Sequence, residues 1–220
     1  MGRGRSAAQG IADVTLGSLD RCPVCRAASA GSTGVCAACG AWLEAAARAL
    51  PPPAGELCWV GPHAGPLLRC VAAFKHGGGK RLGEFLGQLV ATRVERWGYE
   101  LDVVTHVPAS GERSAERGFD QAAVLAAVVS RAVRRPHLAA LARSPVAASQ
   151  KRLTRAGRAA NAGGAFGATR GVSGRVLLVD DVLTTGATYR ACVAALMAAG
   201  ATEVRGAFVA RTVRSAPGRA

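Results

Sequence analysis

Apolar residues recur along this chain in two rhythms. A short unbroken run, Val176 to Val179, reads as a buried parallel strand, and the stretch Asp102 to Val107 reads as a second strand. A third strand is expected over Glu203 to Ala210. Longer stretches repeat with helical spacing. Lys80 to Trp97 carries Leu82, Phe85, Leu86, Leu89 and Val90 as one stripe. Further helices are predicted over Trp42 to Leu50, closed by Pro51-Pro52-Pro53, and over Leu67 to Lys75, broken by His76-Gly77-Gly78-Gly79. Phe119 to Val133 and Tyr189 to Ala199, stopped by Gly200, complete the set. Ala140 to Gly171 has weak periodicity and many Arg, Gly and Ala residues, which suits a mobile loop.

Strands alternating with helices imply an α/β fold with a parallel sheet and crossover helices. Ligands of such sheets lie beyond the carboxyl ends of the strands. Pro108-Ala109-Ser110 and Asp180 to Thr188 both fall there. The proline run divides the chain into a tail (1–20), a small cysteine module with a short helix (21–50), a larger domain (51–211) and a second tail (212–220). A chain of 220 residues can bury one good-sized core with a small module appended.

No apolar stretch is long enough to span a membrane, and MGRGRSAAQGIADV has no apolar block behind its charges. No signal peptide and no membrane insertion are expected, and the default location is the cytoplasm. Cys22-Pro-Val-Cys25 and Cys36-Ala-Ala-Cys39 make a C-x2-C-x10-C-x2-C array. Two such knuckles present four thiolates to one tetrahedral ion, so a closed structural zinc site is expected. Cys58, Cys70 and Cys192 lie singly in apolar surroundings and read as core packing.

Charge sharpens the picture. The net charge is +14, and from Gln121 to Val179 there is no Asp or Glu against ten basic residues. Such a field attracts phosphates, on a small molecule or on nucleic acid. Composition bias would produce a similar excess, since all but Lys75, Lys80 and Lys151 of the 28 basic residues are arginines.

The block VLLVDDVLTTGAT, 176–188, concentrates the chemistry. The acids Asp180 and Asp181 close the apolar strand, and Thr184-Thr185-Gly186-Ala187-Thr188 forms a small hydroxyl-rich turn into a helix. Free amides and the helix dipole bind a phosphate there, hydroxyls add donors, and Gly186 permits close approach. The carboxylates, about one sugar length back, can accept from two ribose hydroxyls. A ribose 5′-phosphate fits that order. The same residues would also suit magnesium-binding acids of the receiver-domain kind, or side chains that merely cap a helix.

The block resembles the phosphoribosyl-diphosphate (PRPP) signature of type I phosphoribosyltransferases. The wider chain, from Cys22 to Arg211, resembles the ComF family of competence-associated proteins. The likeness rests on the paired knuckles, LLRCVAAFKHGGGKRLGEFLG, VTHVPAS followed by RSAERGFDQA, SQKRLTRAGRAANAGGAF and the signature itself. Two positions depart from the family: Asp120 stands where Asn is common, and His106-Val107-Pro108 where Pro-Val-Pro is common. The first adds a negative charge near an anion site.

The resemblance implies a type I phosphoribosyltransferase-like parallel sheet flanked by helices, with a small zinc-ribbon-like module built on four cysteines. It implies Asp180 and Asp181 as ribose-contacting catalytic acids and Thr184, Thr185, Gly186, Ala187 and Thr188 as the 5′-phosphate loop. Pro108, Ala109 and Ser110 would meet pyrophosphate, with Lys75, Arg117 and Arg113 nearby. Gln150, Arg152, Arg158 and Asn161 would belong to a loop closing over substrate. The implied reaction is displacement of pyrophosphate from ribose C1 by a nitrogen nucleophile, with Mg2+ on the diphosphate. No purine- or pyrimidine-reading hood is visible among the 5% of aromatic residues. Two other functions suit the same residues: a single-stranded-DNA-handling accessory to the DNA-uptake machinery in transformation, and a PRPP sensor without turnover.

Overall fold

A computed structural model describes residues 20–76, 79–110, 118–144 and 165–213. Its strands are β1 (Leu57–Pro62), β2 (Val103–His106), β3 (Leu141–Arg143), β4 (Phe166–Ala168), β5 (Gly174–Leu183) and β6 (Ala201–Arg211). The helices are α1 (Ala37–Ala49), α2 (Gly65–Lys75), α3 (Gly79–Glu95), α4 (Gln121–Val133) and α5 (Ala187–Ala198). Four strands form a parallel sheet in the order β1-β6-β5-β2, and β3 and β4 form a separate antiparallel pair. The α/β architecture expected from the alternating pattern is present, with helices on both faces.

Side-chain alternation along β5 builds the two faces. Leu177 and Val179 belong to the buried cluster shared with α1, α2, α3 and α4 on one face, whereas Val176 and Leu178 belong to the cluster of α5 and the β3–β4 pair on the other. All four residues are fully buried, which is why this stretch reads as an unbroken apolar run. The chain after β2 therefore enters a helix on one face, and the chain after β5 enters a helix on the other. Loops that part in opposite directions leave a crevice between the carboxyl ends of β2 and β5.

Three strands go beyond what the pattern predicts. β1 carries only Leu57-Cys58-Trp59-Val60 before Gly61 and Pro62, and it forms as an edge strand on β6. The paired β3 and β4 are three residues each and far apart in sequence. β5 also runs further than the apolar run. Val182 pairs with Ala210 and Leu183 with Arg211, so the long β6 carries β5 through the acids instead of letting it end before them.

The cysteine module shares the core on the first face. Cys22, Val35, Leu43 and Ala47 are buried in one cluster with Leu82 and Phe85 of α3. α1 begins at Ala37, directly after Cys36, and not at Trp42. Arg93 of α3, 5% exposed, donates to the carbonyls of Leu50 (3.1 Å), Pro51 (2.7 Å) and Trp59 (3.3 Å). Arg69 of α2 holds the carbonyls of Pro23 and Val24 at 3.2 and 2.9 Å. Among the described residues no helix is long and apolar enough to cross a membrane.

Candidate active site and cysteine centre

The crevice at the ends of β2 and β5 is a cleft of about 210 Å³. Lys75, Pro108, Ala109, Asp180, Asp181, Thr184 and Thr188 line it, together with Asp120 and Arg143. Residues from five separated segments thus meet at the switch point. Alternation along β5 sends Asp181 to the face of α2, where Lys75 at the end of that helix pairs with it at 2.6 Å. Asp180 turns the other way, and its Oδ1 accepts the Asp181 amide at 2.8 Å. Burial and the neighbouring Asp181 push the Asp180 carboxyl up to about 8. At neutral pH the pair therefore offers one protonated carboxyl and one carboxylate neutralised by a lysine.

Beyond the acids, Gly186 takes the left-handed conformation (φ 76°) that starts α5. That conformation is what calls for glycine here. Ala187 N–H reaches Thr185 Oγ1 only at 3.4 Å. Among the described residues, the amides of Thr184, Thr185, Gly186 and Thr188 bond no protein acceptor. Thr184, Thr185, Ala187 and Thr188 are exposed. This N-terminus is open toward a ligand, with hydroxyls beside the free N–H groups.

The loop after β2 is held differently. Asp120 caps α4 by accepting from Ala123 N at 3.1 Å, and its other oxygen accepts from Ala109 N at 3.0 Å. That oxygen is 3.9 Å from His106 Nε2, and His106 Nδ1 lies 2.9 Å from His137 Nε2. Burial lowers the pKa of both histidines; Asp120 works against this in each, and His106 lowers His137 further. The Asp120 carboxylate is thus a structural brace between the β2 loop and α4. Ser110 continues this loop but does not line the cleft.

Arg143 is the lining residue that sequence reasoning missed. In the sequence it is only one of ten basic residues in the acid-free span. Its position depends on β3 pairing with β4, which sets Arg143 opposite Phe166. The guanidinium lies 4.7 Å above the Phe166 ring, and Nε donates to Pro108 O at 3.0 Å. Arg113, Arg117, Gln150, Arg152, Arg158 and Asn161 lie outside the described residues, as do residues 145–164 of the stretch Ala140 to Gly171 in which a mobile loop is expected; its described ends form β3 and β4.

The four knuckle cysteines converge. Cys22, Cys25, Cys36 and Cys39 place their sulfurs within 4.8 Å of one another, with Cys25 and Cys36 at 3.9 Å. A tetrahedral zinc with Zn–S near 2.3 Å needs sulfurs about 3.8 Å apart, so the donor set fits the ion. Arg26 adopts φ 62°, which turns the first knuckle. The amides of Ala28 and Ala27 hold the Cys25 thiol down to about 6, favouring the thiolate that a metal requires. Cys58, Cys70 and Cys192 are buried, and burial pushes each to about 12, in keeping with packing.

No protein-family model matches the chain, and no match is found among curated proteins. Among solved structures, it is similar to one described as the allosteric regulatory enzyme of purine biosynthesis, at 29% identity over 57% of this chain, with a TM-score of 0.40. It is also similar to glutamine PRPP amidotransferase from B. subtilis complexed with ADP and GMP, at 27% identity over 62% of this chain, with a TM-score of 0.45. The matches cover 25% and 30% of those proteins, so the chain spans less than a third of either.

Proposed function

We propose that this protein binds PRPP in the cleft between β2 and β5 and transfers its phosphoribosyl group to a nitrogen nucleophile, releasing pyrophosphate. One observation carries the reading: amides at the start of α5 that bond no protein acceptor among the described residues stand beside the Asp180 carboxyl, raised by burial, and the Lys75-paired Asp181. The amides and threonine hydroxyls take the 5′-phosphate. Asp181 accepts from a ribose hydroxyl, while a protonated Asp180 donates to one and accepts from another. The sugar is thereby set with C1 toward the β2 loop.

Departure of the diphosphate leaves an oxocarbenium-like sugar, and negative charge collects on the leaving oxygens. The Asp181 carboxylate beside the ribose favours that positive charge, and the cations at the cleft favour the negative one. The oxygen-only donors fit magnesium carried on the substrate, where it would neutralise the diphosphate. A ring nitrogen with a free lone pair attacks without a strong base, and among the described residues no histidine lines the cleft.

Calorimetry with PRPP and Mg2+ tests the site. The wild type should bind, and Asp181→Ala should lose at least about tenfold in affinity. Equal heats from both proteins refute the assignment. Screening nucleobases for pyrophosphate release then identifies the acceptor and separates a transferase from a sensor.

A second reading, a ComF-like cytoplasmic partner of single-stranded DNA in uptake, draws on the surface charge. Arg131, Arg134, Arg135 and Arg170 are exposed, and of the arginines described in the acid-free span only Arg175 is paired with acids, Glu100 and Asp102. Against it, Trp97, Tyr99 and Trp59 are covered by Arg205 and Arg211, which leaves Trp42 as the largely exposed aromatic among the described residues. Single-strand binding that falls steeply with salt would favour this reading, and a flat slope would remove it.

A further inference from the structure

The cleft is lined by two described cations, and they are not equivalent. Lys75 is committed to Asp181 at 2.6 Å. Arg143 forms no ion pair among the described residues, and only its Nε is bonded, to Pro108 O. Four of its five N–H donors are therefore left over. The side chain is nonetheless fixed. Phe166 beneath it is 6% exposed and belongs to the buried cluster that includes Val107, Leu183 and Tyr189, so the ring is a fixed platform under the guanidinium. A planar fork held by a ring face and one hydrogen bond loses little freedom when an anion arrives.

Its location selects which anion. The free amides that suit a terminal phosphate follow β5, whereas Arg143 is tied to Pro108, after β2. Asp180 and Asp181 line the same cleft, on the strand that leads into those amides. In PRPP the 5′-phosphate and the C1 diphosphate stand at opposite ends of the ribose. We propose that Arg143 is a substrate-contacting residue that grips the C1 diphosphate through its two terminal nitrogens, an assignment that rests on the PRPP reading above. Arg143 thereby supplies the fixed positive charge that Lys75, held by Asp181, does not, and it stabilises pyrophosphate as it leaves.

Calorimetry of the full chain in Mg2+ with three probes tests this: PRPP, inorganic pyrophosphate and ribose 5-phosphate. Arg143→Gln should weaken PRPP and pyrophosphate by about 10- to 100-fold and leave ribose 5-phosphate within about twofold. Unchanged ribose 5-phosphate binding also shows that the variant is folded. Arg143→Lys, which keeps the charge but loses the fork, should recover part of the pyrophosphate affinity. Arg143→Gln binding pyrophosphate like the wild type overturns the proposal, as does an equal loss for all three probes, which marks a purely structural pin. A lysine variant no better than glutamine removes the electrostatic argument. A wild type that binds neither PRPP nor ribose 5-phosphate refutes the proposed function itself. A wild type that binds both, beside an indifferent Arg143→Gln, refutes Arg143 alone.

Discussion

Replacing Asp180 by Asn should make the free protein more stable above neutral pH. The carboxyl is raised from 3.8 to about 8, chiefly by burial and then by Asp181, while Lys75 and the Asp181 amide oppose the rise. The folded state therefore holds this proton more tightly than the unfolded chain does. Stability from this group is fully present below about pH 4 and is lost as pH rises to about 8. At about 1.4 kcal/mol per unit, the shift caps the loss near 6 kcal/mol. Asp180 is only half-buried and Lys75 lies close, so solvent and the lysine reduce this to about 1–3 kcal/mol. Asn keeps the Oδ1 that accepts the Asp181 amide, so the substitution removes the charge and little else. At about 2–4 °C per kcal/mol, the variant should melt about 3–10 °C above the wild type at pH 8.5, with the gap closing toward pH 5. Melting curves of both proteins across that range decide it. Taking the difference cancels effects common to both, such as the buried histidines charging below neutrality. A variant no more stable than the wild type at pH 8.5, or a gap independent of pH, would refute the burial argument. At neutral pH the same variant should keep most of its PRPP affinity, because Asn donates and accepts as the protonated carboxyl does.

Replacing Cys22 and Cys36 together by Ser should remove about one zinc per chain and lower the melting temperature, because Cys22 is buried beside Val35 and Leu43; unchanged metal content refutes the centre. Gly83→Ala should cost about 1–2 kcal/mol in urea unfolding, since its Cβ would stand 2.5 Å from a ring carbon of the buried Phe74, outweighing the gain in helix propensity. A variant of equal stability would mean that α2 and α3 can part freely. Asp120→Asn should tighten pyrophosphate binding severalfold by removing a negative charge from the cleft, at about 1 kcal/mol of stability for the brace it weakens; weaker pyrophosphate binding would show that the brace matters more than the charge.

What is legible in the sequence is what is encoded locally. The run Val176 to Val179, the acids and the glycine-threonine turn sit within thirteen residues, and each element's cue lies inside it. The knuckle spacing is equally local. The extent of β5 is not legible, because β6 decides it by pairing as far as Arg211. β1 escapes for a similar reason: four residues before a Gly-Pro break gain strand geometry only from their neighbour. Asp120 can be seen as a stray charge but not as a brace, since its second partner, Ala109, belongs to another loop. Arg143 is the least legible. Nothing within several residues distinguishes it from the other arginines until β4 places Phe166 beneath it.

The charges of the cleft explain why a chain of net charge +14 gathers carboxylates at the place where it would receive an anion. Asp120, Asp180 and Asp181 face Lys75 and Arg143. With Asp180 protonated at neutral pH, the described lining carries two negative and two positive side chains and is close to neutral. On the proposed reading, attraction for a phosphate there comes less from net field than from geometry: amides and a guanidinium whose donors find no other partner among the described residues. Surface arginines draw in any polyanion and discriminate weakly. A near-neutral cleft discriminates by requiring a ligand that satisfies amides, acids and guanidinium together, with the anionic groups separated by a hydroxylated ring. Salt dependence separates the two contributions. Binding governed by the cleft should change little between low and physiological salt, whereas binding governed by the surface should weaken steeply.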